Sequence, residues 1–149
     1  MVEYELHDFV KHSGSMLLID NFLSYDNQGI VVDVTITEKS LFFKNGYVPT
    51  WIGLEYAAQA VAAWAGLQAK KKKDKTKIGL LISCHRYECT RSNFVLGEKL
   101  TITTKEEFRD RQMGSYYCVI KDKNQIEIVT VTINAFLPDN FKNIFEIGL

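Results

Sequence analysis

The chain carries no excess of either charge: 18 lysines and arginines balance 18 aspartates and glutamates. A formal net charge of zero supplies no field to draw in nucleic acid or an anionic membrane, so neither is expected as a partner. Cysteine is scarce and odd in number. Cys84, Cys89 and Cys118 show no zinc-type pairing, which argues against a metal finger or a disulfide framework and for free buried thiols in a reducing compartment. Cys84 and Cys89 lie five apart in a strand-like stretch, so they are expected on opposite faces. No apolar run follows the acidic opening Met1-Val2-Glu3-Tyr4-Glu5, and no signal peptide is read there. The longest apolar segment is interrupted by Glu55 and Gln59, too polar for a membrane span. The expectation is a cytoplasmic protein. Phosphate-binding loops, nucleotide fingerprints and metal clusters are also missing, so no cofactor and no metal is expected.

What the chain does have is one organising stretch, Val48 to Lys70. Alanine, the best helix former, fills seven of its positions. Pro49 and Thr50 suit a helix entry, and Lys70 to Lys73 put positive charge at the end the macrodipole favours. About 20 residues at ~1.5 Å each make a rod of roughly 30 Å. Apolar side chains lie all round it, the mark of a helix buried in a core. Glu55 is the anomaly, with Gln59 one turn later and Trp51 one turn earlier on the same face. Such a carboxylate either faces water, forms a buried hydrogen-bonded pair, or sits in an apolar slot as a catalytic acid or base with a raised pKa.

The 149 residues, 46% hydrophobic and 24% charged, suit one soluble domain spanning 1–149 with a sizeable core. Glu3 to Lys11 has the spacing of a short helix. Met16 to Leu23 and Ile30 to Thr37 read as strands, the second with Val32, Val34 and Ile36 on one face and Asp33, Thr35 and Thr37 on the other. After the helix come four more strand candidates: Lys77 to Thr90, Lys99 to Arg109, Ser115 to Lys121 and Gln125 to Leu137. There is no repeat, low-complexity linker or domain boundary. Two strands, a buried helix and four strands make an α+β layout with an antiparallel sheet.

Three segments carry a resemblance. The run Val48-Pro49-Thr50-Trp51-Ile52-Gly53-Leu54-Glu55-Tyr56-Ala57-Ala58-Gln59 is similar to a proline-led turn followed by Glu-x-x-Ala-Gln. His12, followed by Met16-Leu17-Leu18-Ile19-Asp20, is similar to a His, Leu-Leu and Asp signature. Phe94-Val95-Leu96-Gly97-Glu98-Lys99-Leu100 is similar to a Val-x-x-Gly-Asp-x-Leu segment. Together, over roughly residues 9 to 137, the chain resembles the hotdog-fold 3-hydroxyacyl-acyl-carrier-protein dehydratases. Within them, Trp51 to Gly66, above all Ala62-Ala63-Trp64-Ala65-Gly66-Leu67, and Arg86-Tyr87-Glu88-Cys89 are most similar to the dehydratase-like proteins of aryl-polyene clusters.

The resemblance implies a sheet wrapped around the long helix and a homodimer or a heterodimer with a related hotdog subunit. It also implies a lyase that takes 3-hydroxyacyl thioesters on acyl carrier protein in fatty-acid or aryl-polyene biosynthesis. Dehydration needs a base for the α-proton, an acid for the leaving hydroxyl and a donor for the thioester carbonyl. The resemblance assigns Glu55 as catalytic acid and a backbone N–H near Gly53 as carbonyl donor. Gln59 orients Glu55, and Trp51 and Tyr47 join the substrate-binding set. The family's histidine belongs in the loop before the helix, where this chain reads Phe42-Phe43-Lys44-Asn45-Gly46-Tyr47-Val48-Pro49. His12 is then the candidate base, with Tyr47 as an alternative hydroxyl donor, His7 expected exposed and His85 at a sheet edge. Two alternatives follow: a hotdog thioesterase, which needs one carboxylate and no histidine, and a non-catalytic acyl-binding or partner subunit. The lysine run after the helix is a solvated end that could also receive an acidic carrier.

Overall fold

The computed structural model describes residues 17–71, 80–110 and 112–136. Strand β1 (Asn21–Tyr25) and β2 (Gly29–Thr35) form a hairpin, followed by the short β3 (Tyr47–Pro49). A 3-10 turn (Thr50–Ile52) leads into helix α1 (Gly53–Lys71). Then come β4 (Leu80–Cys89), β5 (Asn93–Val95), β6 (Lys99–Asp110), β7 (Met113–Lys121) and β8 (Glu127–Phe136). Six strands make one antiparallel sheet in the order β1-β2-β6-β7-β8-β4, and β3 pairs with β5 in a separate two-stranded ribbon.

Period-two patterning explains the inner face. Leu100, Ile102 and Thr104 of β6, Tyr116, Cys118 and Ile120 of β7, and Val129, Val131, Ile133 and Ala135 of β8 are all buried. Helix α1 lies against β2, β6, β7 and β8 and fills this face with Tyr56, Ala57, Ala60, Ala63, Trp64 and Leu67. The sheet curls round a helix rich in alanine because small side chains let backbone and sheet approach closely. The hotdog architecture read from the sequence is the one formed.

Several expectations need correction. The entry expected at Pro49 and Thr50 is found, with Pro49 as the N-cap of the 3-10 turn, but Val48 lies outside the helix and Pro49 also closes strand β3. Both are strand residues, with Val48 paired to Phe94 and fully buried, and the helical hydrogen bonding starts only at Thr50. A β-branched residue before proline is biased to extended backbone, and β5 offers it a partner. β3 and β5 themselves were invisible, since three-residue strands carry no periodicity. Leu17 to Asp20, expected in the first strand, lie ahead of it, and the strand begins at Asn21. The Leu18 N–H is taken by a helix side chain, and the Asp20 carboxylate accepts the Thr35 N–H where a strand carbonyl would otherwise serve. Nor is α1 buried all round: Trp51, Glu55, Ala58 and Ala62 trace a stripe left exposed or half-buried.

The cysteine expectation fails in part. Cys118 is buried, but Cys84 and Cys89 are exposed on edge strand β4. They also share a face: Cys84 pairs with Ile133 and Cys89 with Val129, because a bulge between His85 and Glu88 inserts one extra residue. The bulge is turned by Arg86, whose φ is 53°. Asp33, expected opposite the core, is only 1% exposed; it accepts from Asn21 Nδ2 at 2.9 Å and lies 3.5 Å from Lys99 Nζ. His7, the 3–11 helix and most of the lysine run lie outside the described residues.

Candidate active site

The site grows from the helix start. The β3–β5 ribbon holds Pro49 in place, the Thr50 N–H donates to the Ser92 carbonyl, and the Thr50 hydroxyl reaches the carbonyls of Arg91 and Ser92. The chain then turns through the 3-10 segment, so that Trp51 and Glu55 project from the same side of the helix.

Glu55 is exposed in the single chain, so the expectation of an apolar slot around it is corrected. Its pairing with Gln59 is present. Gln59 is 2% exposed, and its Nε2 donates to Glu55 Oε1 at 3.5 Å. Its Oε1 accepts the backbone N–H of Leu18 at 2.8 Å. One buried amide therefore ties the carboxylate to the segment that precedes β1. Trp51 is 59% exposed and packs on Phe42, with ring centroids 5.3 Å apart. Phe42 adopts a φ of 65° in a loop that also holds Asn45 and Gly46 at positive φ. Tyr47 is half-buried at the first position of β3, opposite Val95, and no hydrogen bond joins it to Glu55 among the described residues. His12 lies outside the described residues. His85 is exposed on edge strand β4, as expected.

Gly53 is buried where the 3-10 turn becomes α-helix, and its N–H turns back on the carbonyls of Thr50 and Trp51. A Cβ here would stand 2.8 Å from the Tyr87 hydroxyl and 3.0 Å from Ile120 Cδ1. Only glycine leaves that space. Tyr87 fills it: the hydroxyl donates to the Thr50 carbonyl, with the Leu54 N–H facing its oxygen. Burial pushes its pKa well above the ordinary tyrosine value, so it is a neutral hydroxyl at physiological pH.

On the other side of Leu18 a cleft of about 270 Å³ opens, walled by Leu17, Leu18, Val34, Leu41 and the Tyr56 ring. Asp20 stands at its edge. Partial burial raises the Asp20 pKa, against the Thr35 N–H, which lowers it, and the nearby Asp33 charge adds to the rise. The Tyr56 hydroxyl is pushed up to about 12 by burial and by the Asp20 charge.

A family model for the ApeP dehydratases matches residues 4–146. The chain belongs to the ApeP-like dehydratase family. Among curated proteins, no match is found. Among solved structures, the ApeP-like chain is similar to the dehydratase heterocomplex ApeI:P of Xenorhabdus doucetiae, at 22% identity and a TM-score of 0.88 over 99% of this chain and 100% of that one. It is also similar to the PaaI protein of the E. coli phenylacetic acid degradation operon, at 20% identity and a TM-score of 0.63, covering 79% and 82% of the two chains. A hypothetical thioesterase of Streptococcus pneumoniae, solved with coenzyme A, aligns at 13% identity and a TM-score of 0.64, covering 78% and 84%. At these identities the likeness is one of fold. The family match makes the function that of a dehydratase-like hotdog protein. Among the described residues of this ApeP-like chain, no helix is long and apolar enough to cross a membrane.

Sequence reasoning placed Glu55, Gln59, Gly53 and Trp51 on one helix start, and they are together there. It gave no role to Tyr87, Asp20 or Tyr56. The signal for Tyr87 lay in the resemblance carried by Arg86-Tyr87-Glu88-Cys89, but its inward aim depends on a bulge.

Proposed function

We propose that the chain works as a single hotdog domain in the cytoplasm, dehydrating 3-hydroxyacyl thioesters carried by acyl carrier protein in fatty-acid-like or aryl-polyene biosynthesis. The observation that carries this is Glu55, held by a buried Gln59 in the first turn of the central helix of an ApeP-like dehydratase. In this reading a base removes the α-proton. Glu55 donates a proton to the leaving hydroxyl, water departs, and the 2,3-double bond forms. Charge developing on the thioester oxygen is met by the positive end of the α1 dipole, since the Gly53 N–H expected as donor is already turned onto the Thr50 and Trp51 carbonyls.

The base is the open position, and His12 is the candidate within this chain. An assembled partner is the other source. Leu41, Phe42, Trp51, Val95 and Leu96 are exposed around the helix start, a rim suited to cover by a related hotdog subunit. The similar ApeI:P structure is a heterocomplex, which supports a heterodimer over a homodimer.

The deciding experiment assays the protein, alone and with a related hotdog subunit from its own cluster, on carrier-linked 3-hydroxyacyl and plain acyl thioesters. Formation of the enoyl product supports the reading. Release of free carrier thiol points instead to a thioesterase. Binding without turnover in both preparations would assign a non-catalytic acyl-binding role.

A further inference from the structure

Glu55 is fixed twice. Gln59 holds its side chain, but nothing in that contact fixes the backbone from which the side chain starts. That backbone is the first turn of α1, where helices leave N–H groups unpaired and tend to fray. Here the vacancy is filled from across the fold. The bulge in β4, turned by Arg86 at φ 53°, sends Tyr87 inward although the residues flanking it, Arg86 and Glu88, stay exposed. Bulges re-aim side chains in this way, at the cost of a broken ladder. The Tyr87 hydroxyl donates to the Thr50 carbonyl at the base of this turn and is faced by the Leu54 N–H, and Leu54 immediately precedes Glu55. This contact needs a glycine at position 53, because a Cβ there would stand 2.8 Å from the hydroxyl. A bulge, a left-handed residue, a glycine and a half-buried tyrosine all converge on the turn from Thr50 to Leu54.

We propose that Tyr87 is a positioning residue for the dehydration: its hydroxyl locks the turn from Thr50 to Leu54 and thereby sets where Glu55 stands relative to the bound thioester. This rests on Glu55 being the catalytic carboxylate. Tyr87 touches no reacting atom in this scheme. It acts through the backbone, so its loss lowers the rate of the chemical step more than it weakens substrate binding, since a misplacement of about 1 Å can cost on the order of 100-fold in rate.

The test compares wild type with Tyr87→Phe, in whichever assembly turns over. The ring and its packing survive in this variant while the hydroxyl, with its bond to the Thr50 carbonyl, is lost. The expected result is a fall in kcat of about 10- to 100-fold with KM within about twofold, on the scale of such misplacement. It is accompanied by faster exchange of the Leu54 amide proton. A lowered melting temperature with kcat unchanged would mean that Tyr87 only braces the fold, and would overturn the proposal. Gly53→Ala supplies a second arm. In the wild-type background its Cβ displaces the hydroxyl, so it reproduces the kcat loss; in the Tyr87→Phe background it costs little more. Equal, additive losses would also overturn the proposal. If wild type itself does not turn over, the dehydratase reading has failed separately. The positioning role is then judged by the affinity for a plain acyl thioester on carrier protein together with Leu54 exchange. Faster Leu54 exchange with the affinity unchanged supports it; unchanged exchange, or an affinity loss that accounts for the whole effect, refutes it.

Discussion

Gln59 Oε1 accepts the backbone N–H of Leu18 at 2.8 Å, across 41 residues of sequence. That bond joins the central helix to the segment leading into β1, and the same amide group turns its Nε2 to Glu55. A residue placed in the helix as a partner for a carboxylate is therefore also the clamp that closes one wall of the Asp20 cleft, since Leu17 and Leu18 line it.

Removing this clamp has a structural cost that can be measured directly. Gln59→Leu keeps the volume but leaves the Leu18 N–H without its acceptor, and an orphaned donor costs about 1–3 kcal/mol. Urea denaturation should show a loss of that size. A Gln59→Leu variant as stable as wild type would mean that water replaces the amide.

For Glu55 the expectation is the reverse: a large effect on turnover and little on stability. Glu55→Gln retains the hydrogen-bonding shape but cannot transfer a proton, so turnover should fall by roughly 10²-fold or more. Because Glu55 is exposed, there is no buried charge to relieve, and the melting temperature should stay close to wild type. Running His12→Ala beside it asks whether that histidine is the base. A comparable loss says yes; near-normal turnover leaves Tyr47, water or a partner residue.

Asp20 gives a pH signature. Its folded-state pKa is raised above the ordinary 3.8, first by burial and then by the Asp33 charge. The folded protein thus holds this proton more tightly than the unfolded chain. Stability from the protonated form is full below about pH 3.8 and is lost as pH climbs through the raised folded value. Asp20→Asn removes the titration, so its stability relative to wild type should improve as pH rises through that window. Denaturation curves of the pair at stepped pH would show it, and parallel curves would contradict it.

The thiols should separate by reactivity. Burial pushes Cys118 up to about 12, whereas Cys84 and Cys89 are exposed on the β4 edge. Alkylation of the native single chain with iodoacetamide, read by peptide mass spectrometry, should label Cys84 and Cys89 and spare Cys118 until the protein is denatured.

Much of this molecule was legible because its information is local. Alternation along Lys99 to Arg109 and Gln125 to Leu137 depends only on neighbours two apart, and the alanine-rich helix only on neighbours three and four apart. Those periods named the sheet, the buried helix and the turn on which Glu55 and Gln59 meet. Only the tertiary structure decided the features that depend on a distant partner. Val48 and Pro49 became strand residues because β5, whose Phe94 and Asn93 lie far along the chain, paired with them. Asp33 was buried with Asn21 donating to Oδ1 and the Lys99 ammonium 3.5 Å from Oδ2, and Glu55 stayed open because the elements packed on α1 cover its other faces. Tyr87 turned inward because one inserted residue in β4 reversed the alternation that its own neighbourhood predicts. A bulge changes the face of every residue beyond it, and no periodicity in the strand announces where it will fall.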